Sequence, residues 1–245
     1  SLEITVLDNE NPFVDRVEFI DSLLFMIHFN ETVFYDLPAI DNLASLRYSS
    51  VLNSSLELRL ERLPASIYEI DMGVFVEDCE GNQNEALFLE LGVPVNVEPL
   101  DILTTEVMFS PLPGCPEFVE IYNNTEKILN LNELTLDVYD PLVGAGYGSF
   151  LSETNRLFFP HNYLTVSKDG NAMKRCYDAG AQQILEMENM KSLADNGGRI
   201  AIRNRSFTLI DEMEYNKDLH FAMLSDFSGI SLERIDLEKS FGLFA

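Results

Sequence analysis

Tyr68, Ile70, Met72, Val74 and Val76 alternate with Glu69, Asp71, Gly73 and Phe75. A period of two sends successive side chains to opposite faces, so this stretch is expected to be a strand with one face in a core and the other mostly toward water. Shorter apolar or alternating runs at 2–7, 14–20, 22–29 and 86–91 are separated by turn-forming residues such as Asp8-Asn-Glu-Asn-Pro12 and Ile20-Asp-Ser22. Asp78-Cys-Glu-Gly-Asn82 predicts a reversal between the strand ending near Val76 and its returning partner, with Gly81 supplying a positive φ. Helical periodicity is sparse. One short helix is expected over 171–177, entered through Asp169-Gly-Asn171, and a weaker apolar stripe at Ile184, Leu185 and Met187 suggests a second over 182–190. The fold class is therefore all-β.

A chain of 245 residues suits two domains. Between Leu91 and Leu103 the composition turns to Gly-Val-Pro-Val-Asn-Val-Glu-Pro, which suits an extended linker and places a boundary near residue 97. The expected domains are 1–97 and 98–245. Both are acidic: 18 acidic against 4 basic side chains before the boundary and 23 against 12 after it, within a total net charge of −25. Neither offers the Lys/Arg footprint that phosphate backbones require, which argues against nucleic acid as a partner. Residues 1–97 contain no lysine, which removes a polybasic membrane contact from that half. No apolar run approaches the ~20 residues of a membrane span. Ser1 does not open a basic-then-apolar leader, so the expectation is a mature or excised piece of a longer chain.

The order of short motifs carries two resemblances. Residues 12–92, with Pro12, the run Val17 to Phe29, the corner Phe29-Asn-Glu-Thr-Val33 and the turn Asp78-Cys-Glu-Gly-Asn82, resemble bacterial immunoglobulin-like repeats of surface proteins. Residues 102–236 resemble bacterial lamin-tail-like domains. The segments are Thr105-Glu-Val-Met-Phe-Ser-Pro-Leu-Pro-Gly114, Phe118-Val-Glu-Ile-Tyr-Asn123, Leu129-Asn-Leu131 with Leu134-Thr-Leu136, Tyr163-Leu-Thr-Val-Ser167, Asn196-Gly-Gly198, Ile210-Asp-Glu-Met-Glu-Tyr215, His220-Phe221 and Ser231-Leu-Glu-Arg-Ile-Asp236. Thr105 stands where that family commonly has Asn. Related domains also continue past the Ser-Leu-Glu-Arg segment, so an incomplete last strand or a further domain is expected. The resemblances imply two consecutive immunoglobulin-like β-sandwiches, acting as a non-catalytic extracellular or bacterial cell-surface module for binding, adhesion or spacing. Its ligand would be a protein or a glycan. The alternative is an accessory region of a larger secreted hydrolase.

Glu117, Glu120 and Glu233 could supply paired carboxylates for hydrolysis, but Glu117 and Glu120 have opposite parity in one strand. An ion pair between Glu120 and Arg234, pinning two strands, is the favoured reading. His28, His161 and His220 match no metal spacing, and His220 is expected to be packed and hydrogen-bonded. Gly144-Ala-Gly-Tyr-Gly-Ser149 lacks the spacing and the trailing Lys of a phosphate loop, and reads as a mobile surface loop. No Gly-x-Ser-x-Gly elbow occurs. No catalytic or cofactor-binding residue is therefore assigned. Calcium at Asp78, Glu80 and Asn82 is a candidate, set against hairpin chemistry that already explains those residues.

Cys79, Cys115 and Cys176 cannot all pair within one chain; if a bridge forms, Cys115 with Cys176 is favoured because both fall in one domain. Asn-x-Ser/Thr triplets stand at Asn30, Asn53, Asn123 and Asn204. Ligand contact is expected in loops 36–54, with Tyr35, Arg47 and Tyr48, and 137–160, with Tyr139, Tyr147 and Phe150.

Overall fold

The computed structural model describes residues 10–35, 44–47, 52–61, 67–73, 76–85, 87–140, 145–177, 183–220 and 227–237. They are mostly β-strand in several sheets, with one α-helix among the described residues. The expected strand at 2–7 lies outside them. Two compact units divide between Val93 and Pro94. This is four residues before the boundary drawn from composition, because the Val95 N–H already bonds to the Ile128 carbonyl and Val97 is buried in the second core.

The first unit contains β1 (Val14–Asp21), β2 (Leu24–Tyr35), β3 (Ala44–Arg47), β4 (Leu52–Leu60), β5 (Tyr68–Gly73), β6 (Val76–Glu77) and β7 (Leu87–Leu91). β1 and β2 form a hairpin whose turn is held by Asp21, its carboxylate accepting from the Leu23 N–H at 2.8 Å. Phe25, Ile27 and Phe29 of β2 point into the core with Leu56 and Leu58 of β4, as alternation requires. One sheet runs β1-β2-β4-β3, with β6 added to the far end of β2, and β5 pairs with β7 in a second. The described residues of the alternating stretch 68–76 thus fall in two strands that belong to different sheets. Gly73 takes φ +59 where β5 ends, and β6 pairs with a different sheet. Alternation of side chains could not reveal the change of sheet, because Ile70 and Val76 keep the same parity and are both buried.

The second unit contains β8 (Ile102–Met108), β9 (Phe118–Asn123), β10 (Leu129–Asn130), β11 (Leu134–Asp140), β12 (Ala145–Phe150), β13 (Leu157–Phe158), β14 (Tyr163–Ser167), α1 (Gly170–Tyr177), β15 (Ile184–Glu186), β16 (Gly198–Asn204), β17 (Leu209–Tyr215) and β18 (Leu232–Glu233). A five-stranded sheet, β15-β14-β9-β8-β18, and a four-stranded sheet, β12-β11-β16-β17, share one core. Val107, Val119, Ile121 and Val166 come from the first; Leu136, Val138, Ile200, Ile202 and Met213 come from the second. Burial of such side chains contributes roughly 1.5–3 kcal/mol each, and this holds the two layers in a sandwich-like arrangement.

Two local expectations change. Residues 145–150 form β12, paired along β11, rather than a loop. A Cβ at Gly148 would meet the Asp137 carboxylate, which would have to turn aside. Residues 184–186 form β15, parallel to β14, rather than a helix. Ile184 and Leu185 are buried, while Glu186 turns back to accept from the Gly170 N–H at 3.0 Å, capping α1. The helix itself runs from Gly170 to Tyr177, with Asp169 accepting from the Ala172 N–H at 2.8 Å. Cys115 and Cys176 form a disulfide with Cα atoms 5.7 Å apart, tying the end of α1 to the 110–116 turn, and Cys79 is a free, exposed thiol.

Candidate functional site

The segments 117–123 and 231–236 meet in the five-stranded sheet, one strand apart. Glu233 of β18 stands opposite Glu106 of β8, Glu106 opposite Glu120 of β9, and Glu120 opposite Thr165 of β14. A row of three carboxylates therefore crosses the outward face on neighbouring strands. Directly opposed residues have Cβ atoms roughly 4.5–5.5 Å apart, and like charges so placed repel. Burial, joined by the nearby charges of Glu120 and Glu233, pushes the Glu106 carboxyl above its ordinary range despite a hydrogen bond from Ser231. Burial likewise raises Glu120, with Glu233 adding to it, against a 2.7 Å hydrogen bond donated by the Thr105 hydroxyl. Among the described residues no cation pairs with any of the three.

One step along β9 and β14, Tyr122 stands opposite Tyr163. Their ring centroids are 4.5 Å apart with planes tilted by 32°, and Tyr163 is 42% exposed. His161 holds this pair from the side. Its Nδ1 lies 2.9 Å from the Tyr122 hydroxyl and its Nε2 lies 2.9 Å from a Glu126 carboxylate oxygen. With the proton on Nε2 the ring donates to Glu126 and accepts from Tyr122. His161 adopts φ +56, a left-handed conformation that non-glycine residues take at a cost.

The other end of the same face is covered. Phe118, Met108, Met173 and Ile184 form a small cluster, with Tyr177 edge-on to Phe118 at 5.1 Å and its hydroxyl donating to the Pro116 carbonyl. The sheet face thus has a closed end under α1 and an open end bearing carboxylates and stacked tyrosines.

The expected Glu120–Arg234 ion pair is not formed. Arg234 faces the opposite side of the sheet from Glu233, into the interior. There its Nη2 donates to both Asp211 oxygens, at 2.9 and 2.8 Å. Asp211 also accepts from the Thr104 N–H at 2.7 Å. Burial pushes its carboxyl up, against the Thr104 bond and the Arg234 charge. Glu117 and Glu120 are not brought together as an acid and base pair either, for Glu117 accepts from the Leu193 N–H at 2.9 Å.

His28 sits between Glu18 and Ser55, at 2.9 and 3.0 Å. His220 is buried between Phe109 and Phe227, but its Nε2 has no hydrogen-bond partner among the described residues, so it is packed without the expected full hydrogen bonding. The Asp78 carboxylate accepts from the backbone of Glu80 and Asn82 and from the Asn82 amide. Burial would raise its pKa, but these bonds outweigh burial and hold it below the ordinary range. Its oxygens are engaged in the turn, and among the described residues no three His, Cys, Asp or Glu side chains are grouped to hold a metal.

The described loop aromatics fall partly in the core and partly on strands. Tyr35 is buried against Phe29, which pushes its hydroxyl pKa up to about 12. Tyr139 and Phe150 lie on strands, under the guanidinium groups of Arg199 and Arg205. Tyr48 and the side chains of Arg47, Asn53 and Tyr147 lie outside the described residues. Asn123 is fully buried, its amide donating to the carbonyls of Lys127, Phe158 and Phe159, so that triplet is structural rather than a glycan acceptor. The ledge of Tyr122, His161 and Tyr163 was not singled out from sequence. Its residues lie within or beside the segments Phe118 to Asn123 and Tyr163 to Ser167, and only the register brings them together.

No family model matches the chain, and no curated protein matches it. Among solved structures it is similar to a DUF4876 family protein from Bacteroides thetaiotaomicron, at 12% identity over 95% of this chain and 88% of that one, with a TM-score of 0.38. A likeness that slight transfers no function.

Proposed function

We propose that this chain is a non-catalytic binding unit working outside the cell, an immunoglobulin-like domain followed by a lamin-tail-like one. The observation that carries the reading is the open end of the five-stranded sheet, where exposed Tyr163, stacked on a side-braced Tyr122, adjoins carboxylates that have no cation partner among the described residues. Such groups on rigid strands are pre-set for recognition. The disulfide between Cys115 and Cys176 supports an oxidising compartment, since such bridges persist outside the reducing cytosol. The surface of both units is expected to be acidic and inert toward nucleic acid. A screen with glycoside, phosphoester and peptide substrates tests the non-catalytic part. No turnover is expected, and turnover abolished by Glu106→Gln or Glu120→Gln would overturn it.

A further inference from the structure

The geometry points to a saccharide ledge at the open end of the sheet face, taking a neutral glycan whose pyranose ring stacks on Tyr163. This deepens the binding-unit reading and rests on it, because it names the ligand class of the same face. Tyr163 is 42% exposed, and its inner neighbour Tyr122 is fixed by the bond to His161. Tyr163, packed against that fixed ring at 4.5 Å, is therefore largely ordered before any ligand arrives, which lowers the entropic cost of binding. In the adjoining row Glu120 and Glu106 each accept a hydroxyl from the protein, Thr105 and Ser231 respectively, and carboxylates have further lone pairs to offer.

A sugar ring presents the matching chemistry, with an axial C–H face for the aromatic ring and hydroxyl donors around its rim for the carboxylate oxygens. Charge narrows the class. Glu106, Glu120 and Glu233 in one row, in a chain of net charge −25, disfavour uronates and sulfated glycans.

Isothermal titration calorimetry of the full chain with cellohexaose, xylohexaose, mannohexaose, chitohexaose, chitosan hexamer and polygalacturonate tests the ledge. At least one neutral hexaose is expected to bind. Its affinity should fall at least tenfold in Tyr163→Ala and a few-fold in Glu120→Gln, but hold in Phe207→Ala, a change at an aromatic residue 82% exposed elsewhere in the unit. Thermal melting of each variant separates lost binding from lost folding, and Glu120→Gln keeps the test open if Tyr163→Ala unfolds.

Equal binding by Tyr163→Ala, or polygalacturonate binding as tightly as the neutral hexaoses, overturns the ledge. So does binding by chitosan hexamer alone, which would mark a cation site. Silence from every neutral hexaose also overturns it, while the non-catalytic reading stands or falls separately on the substrate screen.

Discussion

The two faces of the five-stranded sheet treat acidic side chains in opposite ways, and Glu233 and Arg234 show it within two consecutive residues. Against the inner face Asp211, from β17 of the facing sheet, is paired with Arg234 and accepts a backbone N–H, with side chains 2% and 0% exposed. On the outer face Glu106, Glu120 and Glu233 stand in a row, the first two with hydroxyl donors, and among the described residues none has a cation. An isolated charge cannot stay ionised in the interior, so the inner pair answers a folding requirement. The outer row answers none, since Gln in its place would keep the shape without the repulsion. Groups that a fold tolerates at some cost, on its rigid part, are candidates for recognition.

The largest expected effect lies on the inner face. Arg234→Met should destabilise the second unit by about 3–5 kcal/mol in urea unfolding, because it strands the Asp211 carboxylate. Pairing it with Asp211→Leu should recover most of that loss. A single change costing under about 1 kcal/mol would show that the inner pair is not what separates the faces.

Next comes the closed end of the outer face. Removing the bridge as Cys115→Ala with Cys176→Ala is expected to cost about 3 kcal/mol, the loop it closes spanning 61 positions. Hydrogen exchange should quicken in α1 and remain slow in β9; equal quickening in both would merge the two ends into one cooperative region.

Smaller, and opposite in sign, is the effect of relieving the outer row. Both Glu106 and Glu120 have pKa values raised by burial and by neighbouring carboxylates. The folded chain therefore holds protons that the unfolded chain releases, and stability falls as pH rises from the unfolded toward the folded pKa. Glu106→Gln or Glu120→Gln should raise stability at pH 7 by up to about 1 kcal/mol. That gain should fade as pH drops through the carboxylate range. A gain unchanged at pH 4, or a loss at pH 7, would mean the row is not repulsive.

Smallest is Tyr163→Ala, expected to move stability by about 0.5 kcal/mol while weakening glycan binding at least tenfold. A large loss of stability would make the ledge part of the packing rather than of the open surface.

Much of the strand pattern was legible because alternation reports it directly, as in Phe25, Ile27 and Phe29. The Asp78 turn was legible too, since Gly81 takes the positive φ its type demands, φ +89. Other elements were hidden for physical reasons. Gly146 and Gly148 put no side chains on β12, so the strand looked like a loop. Ile184, Leu185 and Met187 satisfy a helical stripe and a buried strand equally well. The site was least legible of all. That Glu106 faces both Glu120 and Glu233, or that Arg234 meets Asp211, depends on register between strands remote in sequence, and no local pattern encodes register.

That remoteness also bears on how the unit assembles. Thr104 and Asp211 are 107 positions apart, and β8, the first strand of its sheet in the chain, finds a neighbour on one edge only when β18 arrives. Contacts of such long range are slow to close, so folding of this unit waits for nearly all of it to be synthesised. Meanwhile the free edge of β8 is a template for another molecule's strand. Refolding yield should therefore decline with protein concentration, and a carrier that shields nascent strands would be of most use to this chain just before β18 emerges.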